Sequence, residues 1–157
     1  MKIKAILLLS ILMFLVSCGS SSSDSENDQC GGVVEISENA MVNGSLQSGD
    51  CTINDFFAGA NDPSFVDQYR VTLSTAGTLQ ITLRSPDFDA FLFVLDTADS
   101  CASGCDPLLV LATDDDSGGG LNGTDSQLSI ALNPGSYIIA VNNFAPLTGI
   151  YSLETVF

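Results

Sequence analysis

The sequence has no histidine and no tryptophan, and it has only four lysine and arginine residues. Histidine is the commonest general base near neutral pH and the usual ligand of catalytic zinc. Catalytic devices that pair histidine with serine or cysteine are therefore excluded within this chain. Paired carboxylates could still hydrolyse glycosides, but such enzymes are larger and have a deep cleft. We therefore expect no enzymatic activity.

Cationic side chains are scarce, and this scarcity sets the charge of the molecule. The formal net charge is −15, and two of the four cations, Lys2 and Lys4, lie at the N-terminus. In the rest of the chain, 19 carboxylates face only Arg70 and Arg84. Such a surface repels nucleic acids and anionic lipid head groups, and it attracts divalent cations or basic partners. The same charge also suits a highly soluble surface in salty water.

The N-terminal segment has the pattern of an export signal. Lys2 and Lys4 precede an apolar run at residues 5–16, which is too short for a comfortable membrane span. The run ends in Leu-Val-Ser-Cys at 15–18, followed by Gly19. This segment resembles the lipobox of bacterial lipoproteins. The resemblance implies cleavage before Cys18, lipid on its sulfur and on the new N-terminus, and sorting to the outer membrane. The alternative is an ordinary cleaved signal or an uncleaved anchor.

The chain divides into a leader, a tether and one domain. Residues 1–17 form the expected signal peptide, and residues 18–29 are Ser-rich, acidic and unable to bury apolar area. Residues 30–157 form the expected folded domain. Several acyl chains on one cysteine give stable anchoring. We therefore expect a domain tethered by lipid to the bacterial cell envelope, at the outer membrane.

Four further cysteines, an even number in an exported chain, predict disulfides. They are Cys30, Cys51, Cys101 and Cys105, and three pairings of the four exist. We expect Cys101–Cys105 to staple a local loop. We expect Cys30–Cys51 to tie the N-terminal segment to the core, which stabilises by roughly 3 kcal/mol in the chain-entropy model. A metal site built from the same four cysteines is the alternative.

After the leader, the sequence favours β-structure throughout. Short runs of Val, Ile, Leu, Phe, Thr and Tyr are separated by Gly, Asn, Asp and Pro clusters. Several runs alternate apolar and polar side chains, as burial of one face requires. The fold class predicted is all-β, an antiparallel β-sandwich of about eight strands. The predicted strands lie near 33–36, 42–46, 66–73, 78–83, 90–95, 108–112, 127–132, 135–141 and 149–156.

Seven short segments occur in an order that resembles a known family. They are 42–46 (VNGSL), 67–71 (DQYRV), 76–79 (AGTL), 87–92 (DFDAFL), 114–116 (DDD), 133–137 (NPGSY) and 149–153 (GIYSL). Together they are similar to the bacterial pre-peptidase C-terminal domain, a small β-sandwich related to the collagen-binding domains of clostridial collagenases. The resemblance spans about 38–157, and it implies an accessory module without catalysis. Some collagen-binding relatives bind calcium.

Residues 113–126 (TDDDSGGGLNGTDS) form an acidic, Gly-rich loop between two predicted strands. Hard cations such as Ca²⁺ take six to eight oxygen ligands, and glycine lets backbone carbonyls turn inward. We therefore expect a Ca²⁺ site at one end of the sandwich. The alternative is that these carboxylates cap turns by accepting backbone N–H groups. The candidate ligands are Asp87, Asp89, Asp114, Asp115, Asp116 and Asp125.

Aromatic side chains in polar surroundings are candidates for a binding face. Phe56 and Phe57 lie together in an otherwise polar segment, and Phe144 follows a predicted strand. Exposed aromatics on a β-sandwich suit contact with protein or glycan. The alternative is that these rings seal the sandwich.

Two functions remain open. The first is a lipid-anchored binding module that holds an extracellular or periplasmic protein or polysaccharide, with Ca²⁺ stiffening its acidic loops. The second is a structural lipoprotein that supports an envelope or secretion complex without a soluble ligand.

Overall fold

Two β-sheets packed face to face account for nearly all of the regular structure. The computed structural model describes residues 32–99, 101, 104–120 and 123–157. The strands are β1 (Val34–Ile36), β2 (Ala40–Leu46), β3 (Cys51–Thr52), β4 (Phe65–Leu73), β5 (Gly77–Arg84), β6 (Ala90–Leu95), β7 (Val110–Asp114), β8 (Ser126–Leu132), β9 (Gly135–Asn143) and β10 (Gly149–Val156). A one-turn helix, α1, spans Ile53–Phe56, and a 3₁₀ turn spans Pro107–Leu109.

The first sheet has the order β1-β4-β9-β6-β7, with β3 also paired to β4, and the second has the order β2-β10-β5-β8. All pairings are antiparallel except that of β1 with β4. The predicted antiparallel-rich β-sandwich is therefore confirmed. The sequence missed β3 and α1, because no alternation or helical period marks such short elements.

The main core lies between the two sheets. On β5, Leu79, Ile81 and Leu83 are fully buried, whereas Gln80 and Arg84 are exposed. This alternation follows from the side-chain period of two in a strand. Burying each aliphatic side chain stabilises the fold by about 1.5–3 kcal/mol relative to leaving it in water.

A second core covers the outer face of the first sheet and corrects one prediction. Phe56 is fully buried and Phe57 is 8% exposed, so neither belongs to an exposed binding face. The turn of α1 places Ile53 and Phe56 on one side, since residues three apart share a helix face. The rings of Phe56 and Phe57 contact each other, and each also contacts the ring of Phe93 on β6. These aromatics therefore seal the sheet, as the alternative interpretation held.

The predicted Cys101–Cys105 disulfide is present and belongs to this second core. The backbone N–H of Cys105 donates to the carbonyl of Phe56 at 2.7 Å, which docks the disulfide segment on α1. Cys51 is buried and disulfide-bonded. Its predicted partner, Cys30, lies outside the described residues.

The predicted signal peptide at 1–17, the lipidated Cys18 and the tether at 18–29 also lie outside the described residues. In the part of the chain that the structure describes, no helix has both the length and the apolar character needed to cross a membrane.

Gly44 of β2 lies against the ring of Tyr151, and an added Cβ would overlap that buried ring. We predict that Gly44→Ala destabilises the fold by about 1–3 kcal/mol, because a well-packed core does not accept extra volume. Thermal melting measures the loss. Gly49→Ala is the matched control, since a Cβ there meets no atom within 4 Å. Equal melting temperatures for the two variants would contradict this packing.

Candidate functional site

Three connections lie at the same end of the sandwich, and together they carry all six candidate aspartates. They are the β5–β6 connection (85–89), the β7–β8 connection (115–125) and the β9–β10 connection (144–148), with Asp114 closing β7. We call this the acidic end. The topology brings it together, because each of these three connections crosses from one sheet to the other at the same end of the sandwich. The predicted convergence of the aspartates at one end is therefore present.

Only three of the six carboxylates lie close enough together to share one cation. Oxygen atoms of Asp89, Asp115 and Asp116 lie within 4.8 Å of one another. The Oδ1 atoms of Asp89 and Asp115 are shielded from solvent, and no described residue donates a hydrogen bond to either. Burial, and then the nearby charge of Asp116, raises the pKa of both carboxyls above the usual value. The cluster therefore holds negative charge without a compensating donor in the described structure.

The other three candidates accept backbone N–H groups instead. Asp87 accepts from Ile150 at 2.9 Å, and Asp125 accepts from Ser85 at 3.3 Å. Asp114 accepts from two N–H groups, that of Ser117 at 3.1 Å and that of Gln127 at 2.7 Å. These aspartates cap strand ends and turns, which was the alternative predicted for the acidic residues.

Two small residues fix the acidic loop. The hydroxyl of Ser126 is fully buried and lies 2.5 Å from the carbonyl oxygen of Ala90 and 2.8 Å from that of Asp115. Gly120 has a φ of +77°, which favours glycine, and an added Cβ would overlap the carboxylate of Asp125. The loop therefore packs directly on the start of β8, which positions Asp115 next to Asp89.

A buried hydrogen-bonded chain, which no sequence pattern indicated, joins the two sheets near this end. The hydroxyls of Tyr69 on β4 and Tyr151 on β10 are 2.7 Å apart, and Tyr151 donates to Asp67. Burial, opposed by the hydrogen bond from Tyr151 and aided by the charge of Asp50, raises the pKa of Asp67 to about 6. Burial, followed by the charge of Asp67, also raises the pKa of Tyr151. The 67–71 segment contained these residues, but nothing in it indicated that Tyr151 would contact them.

Phe144 is the one aromatic binding candidate that the structure leaves exposed, with 68% of its surface accessible. Its backbone N–H donates to the carbonyl of Asp89 at 3.1 Å. Phe144 therefore stands beside the carboxylate cluster.

Comparisons with known proteins agree with this architecture. Residues 65–143 match the bacterial pre-peptidase C-terminal domain. The pre-peptidase C-terminal domain of a Bacillus anthracis collagenase is 17% identical with a TM-score of 0.53, covering 80% of this chain and 95% of that one. PliG from Aeromonas hydrophila, a periplasmic inhibitor of g-type lysozyme, is 14% identical with a TM-score of 0.50, covering 78% and 95%. At these identities the structural likeness shows the fold alone. No curated protein sequence is significantly similar to the chain.

We predict that Asp67→Asn reduces the pH dependence of stability. The folded state keeps the Asp67 proton up to about pH 6, whereas an unfolded aspartate releases it near 3.9. The native state therefore binds more protons between these values, and this group's contribution to stability falls as the pH rises from about 4 to above 6. Asparagine has no such proton, so the variant should gain roughly 1–2 kcal/mol over wild type at pH 8 and little at pH 4.

Urea unfolding at pH 4 and pH 8 in chelator measures this difference. Asp96→Asn, an exposed site, is the control for removing one negative charge. The interpretation is wrong if Asp67→Asn and Asp96→Asn show the same change between the two pH values.

Proposed function

This chain belongs to the bacterial pre-peptidase C-terminal domain family, and we propose that it is a non-catalytic binding module of the bacterial envelope. In this proposal, lipid on Cys18 anchors the chain to the outer membrane, and residues 18–29 hold the domain away from the bilayer. The domain binds an extracellular or periplasmic protein or polysaccharide. Calcium at Asp89, Asp115 and Asp116 stiffens the acidic end.

The observation that carries the proposal is that the six aspartates fall into two groups with different contacts. Three satisfy backbone N–H groups, while the remaining three turn their oxygens toward one another. Like charges that face each other destabilise a fold unless a cation or a proton lies between them. Nothing at this end offers the histidine or cysteine base that the common hydrolytic devices require. The geometry therefore favours ion-stabilised binding over catalysis.

The donor set fits Ca²⁺. Carboxylate oxygens are the ligands that hard cations prefer, and Ca²⁺ accepts irregular geometry with six to eight oxygens. Asp89, Asp115 and Asp116 supply three carboxylates, and water or backbone carbonyls would complete the shell. The unpaired Oδ1 atoms of Asp89 and Asp115 are the specific groups that a cation would satisfy. A bound cation would hold the β5–β6 and β7–β8 connections together.

We predict that calcium raises the melting temperature of the wild-type chain and that Asp116→Asn removes this gain. Binding to the native state alone stabilises it by about 2.7 kcal/mol when calcium is at one hundred times its Kd. In chelator the variant should melt no lower than wild type, because the side chain of Asp116 accepts no hydrogen bond from the described residues. Scanning calorimetry in CaCl₂ and in EDTA measures both values.

Asp114→Ala is the matched control, since it removes an acceptor of two backbone N–H groups outside the cluster. It should lose about 1–3 kcal/mol equally in calcium and in EDTA, because two hydrogen bonds of roughly 0.5–1.5 kcal/mol each are removed. No calcium-dependent gain in wild type, or the same gain in Asp116→Asn, would refute the calcium site.

The anchor and the ligand are tested together in the membrane fraction. We predict that Cys18→Ala releases the protein from membranes and abolishes its acyl mass, because the lipid is attached to that sulfur. Envelope extracts passed over the full chain should yield a protein or polysaccharide, and EDTA should weaken its capture. Unchanged fractionation would refute the lipobox interpretation. If the chain captures no protein or polysaccharide, the result would favour a structural lipoprotein without a soluble ligand.

A further inference from the structure

The outer face of the second sheet is the open face of the sandwich. The first sheet has its outer face covered by the second core, which includes Phe56 and the Cys101–Cys105 disulfide. No comparable cluster covers the outer face of β2, β10, β5 and β8 in the described structure. A groove of about 580 Å³ opens on this face, where it meets the Gly-rich wall of the acidic loop. This volume suits a small ligand or one stretch of a polymer.

A row of polar side chains crosses the groove from strand to strand. Ser152 of β10 pairs with Asn43 on one side and with Arg84 on the other. Neighbouring strands lie about 4.8 Å apart, so side chains at paired positions stand next to each other on the same face. Leu83 pairs with Ser126, which places Asp125 level with Arg84 at the far end. The row therefore presents an amide, a hydroxyl and a guanidinium in that order, and it ends at the buried carboxylate of Asp125.

These groups are available to a ligand. No described residue forms a hydrogen bond with the side chain of Asn43 or Ser152, although both line the groove. Arg84 contacts Glu154 at 3.2 Å and remains 48% exposed. A guanidinium has five N–H donors, so several are left free by a single contact. Both donors and acceptors thus face the groove without a partner in the described structure.

The charge of this face restricts the ligand. Arg84 and Glu154 neutralise each other, and every other outward-facing side chain on the four strands is uncharged. Acidic polymers are repelled by Asp125 at the end of the groove and by the net charge of −15. A strongly basic ligand would find no unpaired carboxylate along the strands themselves. A neutral ligand fits this environment best.

The hydrogen bonding of the strands argues against an extended peptide. A peptide that adds to a sheet needs an unpaired strand edge, where backbone groups are free. The groove is centred on β10, which pairs with β2 on one side and β5 on the other. On the strands that floor the groove, only side chains are therefore available, and Ile150 and Pro86 add apolar surface beside them. Hydroxyl-bearing rings with apolar faces match this combination.

We propose that the groove binds a neutral oligosaccharide through Asn43, Ser152 and Arg84. This inference rests on the proposed binding function and names its ligand class. Sugar hydroxyls both donate and accept, so one ring can satisfy the amide and hydroxyl while the next contacts the guanidinium. Ile150 and Pro86 lie against the C–H faces of the rings.

Calorimetric titration of the full chain with hexasaccharides tests the proposal. The probes are cellohexaose, xylohexaose, mannohexaose and maltohexaose, with hexagalacturonate as the acidic comparison. At least one neutral probe should bind, and the double variant Asn43→Ala/Ser152→Ala should weaken it about tenfold or more. The double variant Gln80→Ala/Ser129→Ala lies on the same face outside the groove and should bind like wild type. Hexagalacturonate should not bind.

Three results would overturn the inference: no binding by any neutral probe, equal binding by the groove variant, or tight binding of hexagalacturonate. The two proposals remain separable. If the envelope extract yields a protein that wild type and the groove variant capture equally, the binding function stands and the oligosaccharide site is wrong.

Discussion

At the acidic end, aspartate side chains accept hydrogen bonds from backbone N–H groups that the sheets leave unpaired. The position of every other group in the site depends on these hydrogen bonds. Asp87 accepts from the second residue of β10, and Asp114 accepts from the second residue of β8. Each of these hydrogen bonds contributes about 0.5–1.5 kcal/mol to stability. These bonds fix the connections that cross between the two sheets. The fixed connections then bring Asp89, Asp115 and Asp116 together.

The two faces of the sandwich have different roles. The helical turn α1 and the disulfide segment cover the first sheet, so its outer face contributes a second hydrophobic core. The second sheet keeps its outer face open and almost uncharged, in a chain whose net charge is −15. The strong negative charge therefore lies outside the four strands of this face. We expect it to repel polyanions from the open face.

Most of the architecture could be predicted from the sequence, because long strands leave a clear alternation. Leu79, Ile81 and Leu83 mark an inner face. The burial of Phe56 and Phe57 could not be predicted, because their sequence neighbours are polar and a one-turn helix leaves no periodic pattern. One signal was available: the uninterrupted apolar run at 137–141 is typical of a strand buried on both faces.

The acidic end could be predicted only as a set of residues. The sequence places all six aspartates in loops or at strand ends, but it does not say which carboxylate finds a backbone N–H group. That choice depends on strand register, as the contacts of Asp87 with β10 and of Asp67 with Tyr151 show. Residues separated by 63 or 84 positions are brought together by sheet pairing, which no local pattern records.

The most direct test of this account is a crystal structure of the chain grown in calcium, with the cation identified by its anomalous scattering. The account predicts one cation between Asp89, Asp115 and Asp116, while Asp87, Asp114 and Asp125 keep their backbone N–H groups. A cation bound by Asp114 or Asp125, or no cation at saturating calcium, would contradict it.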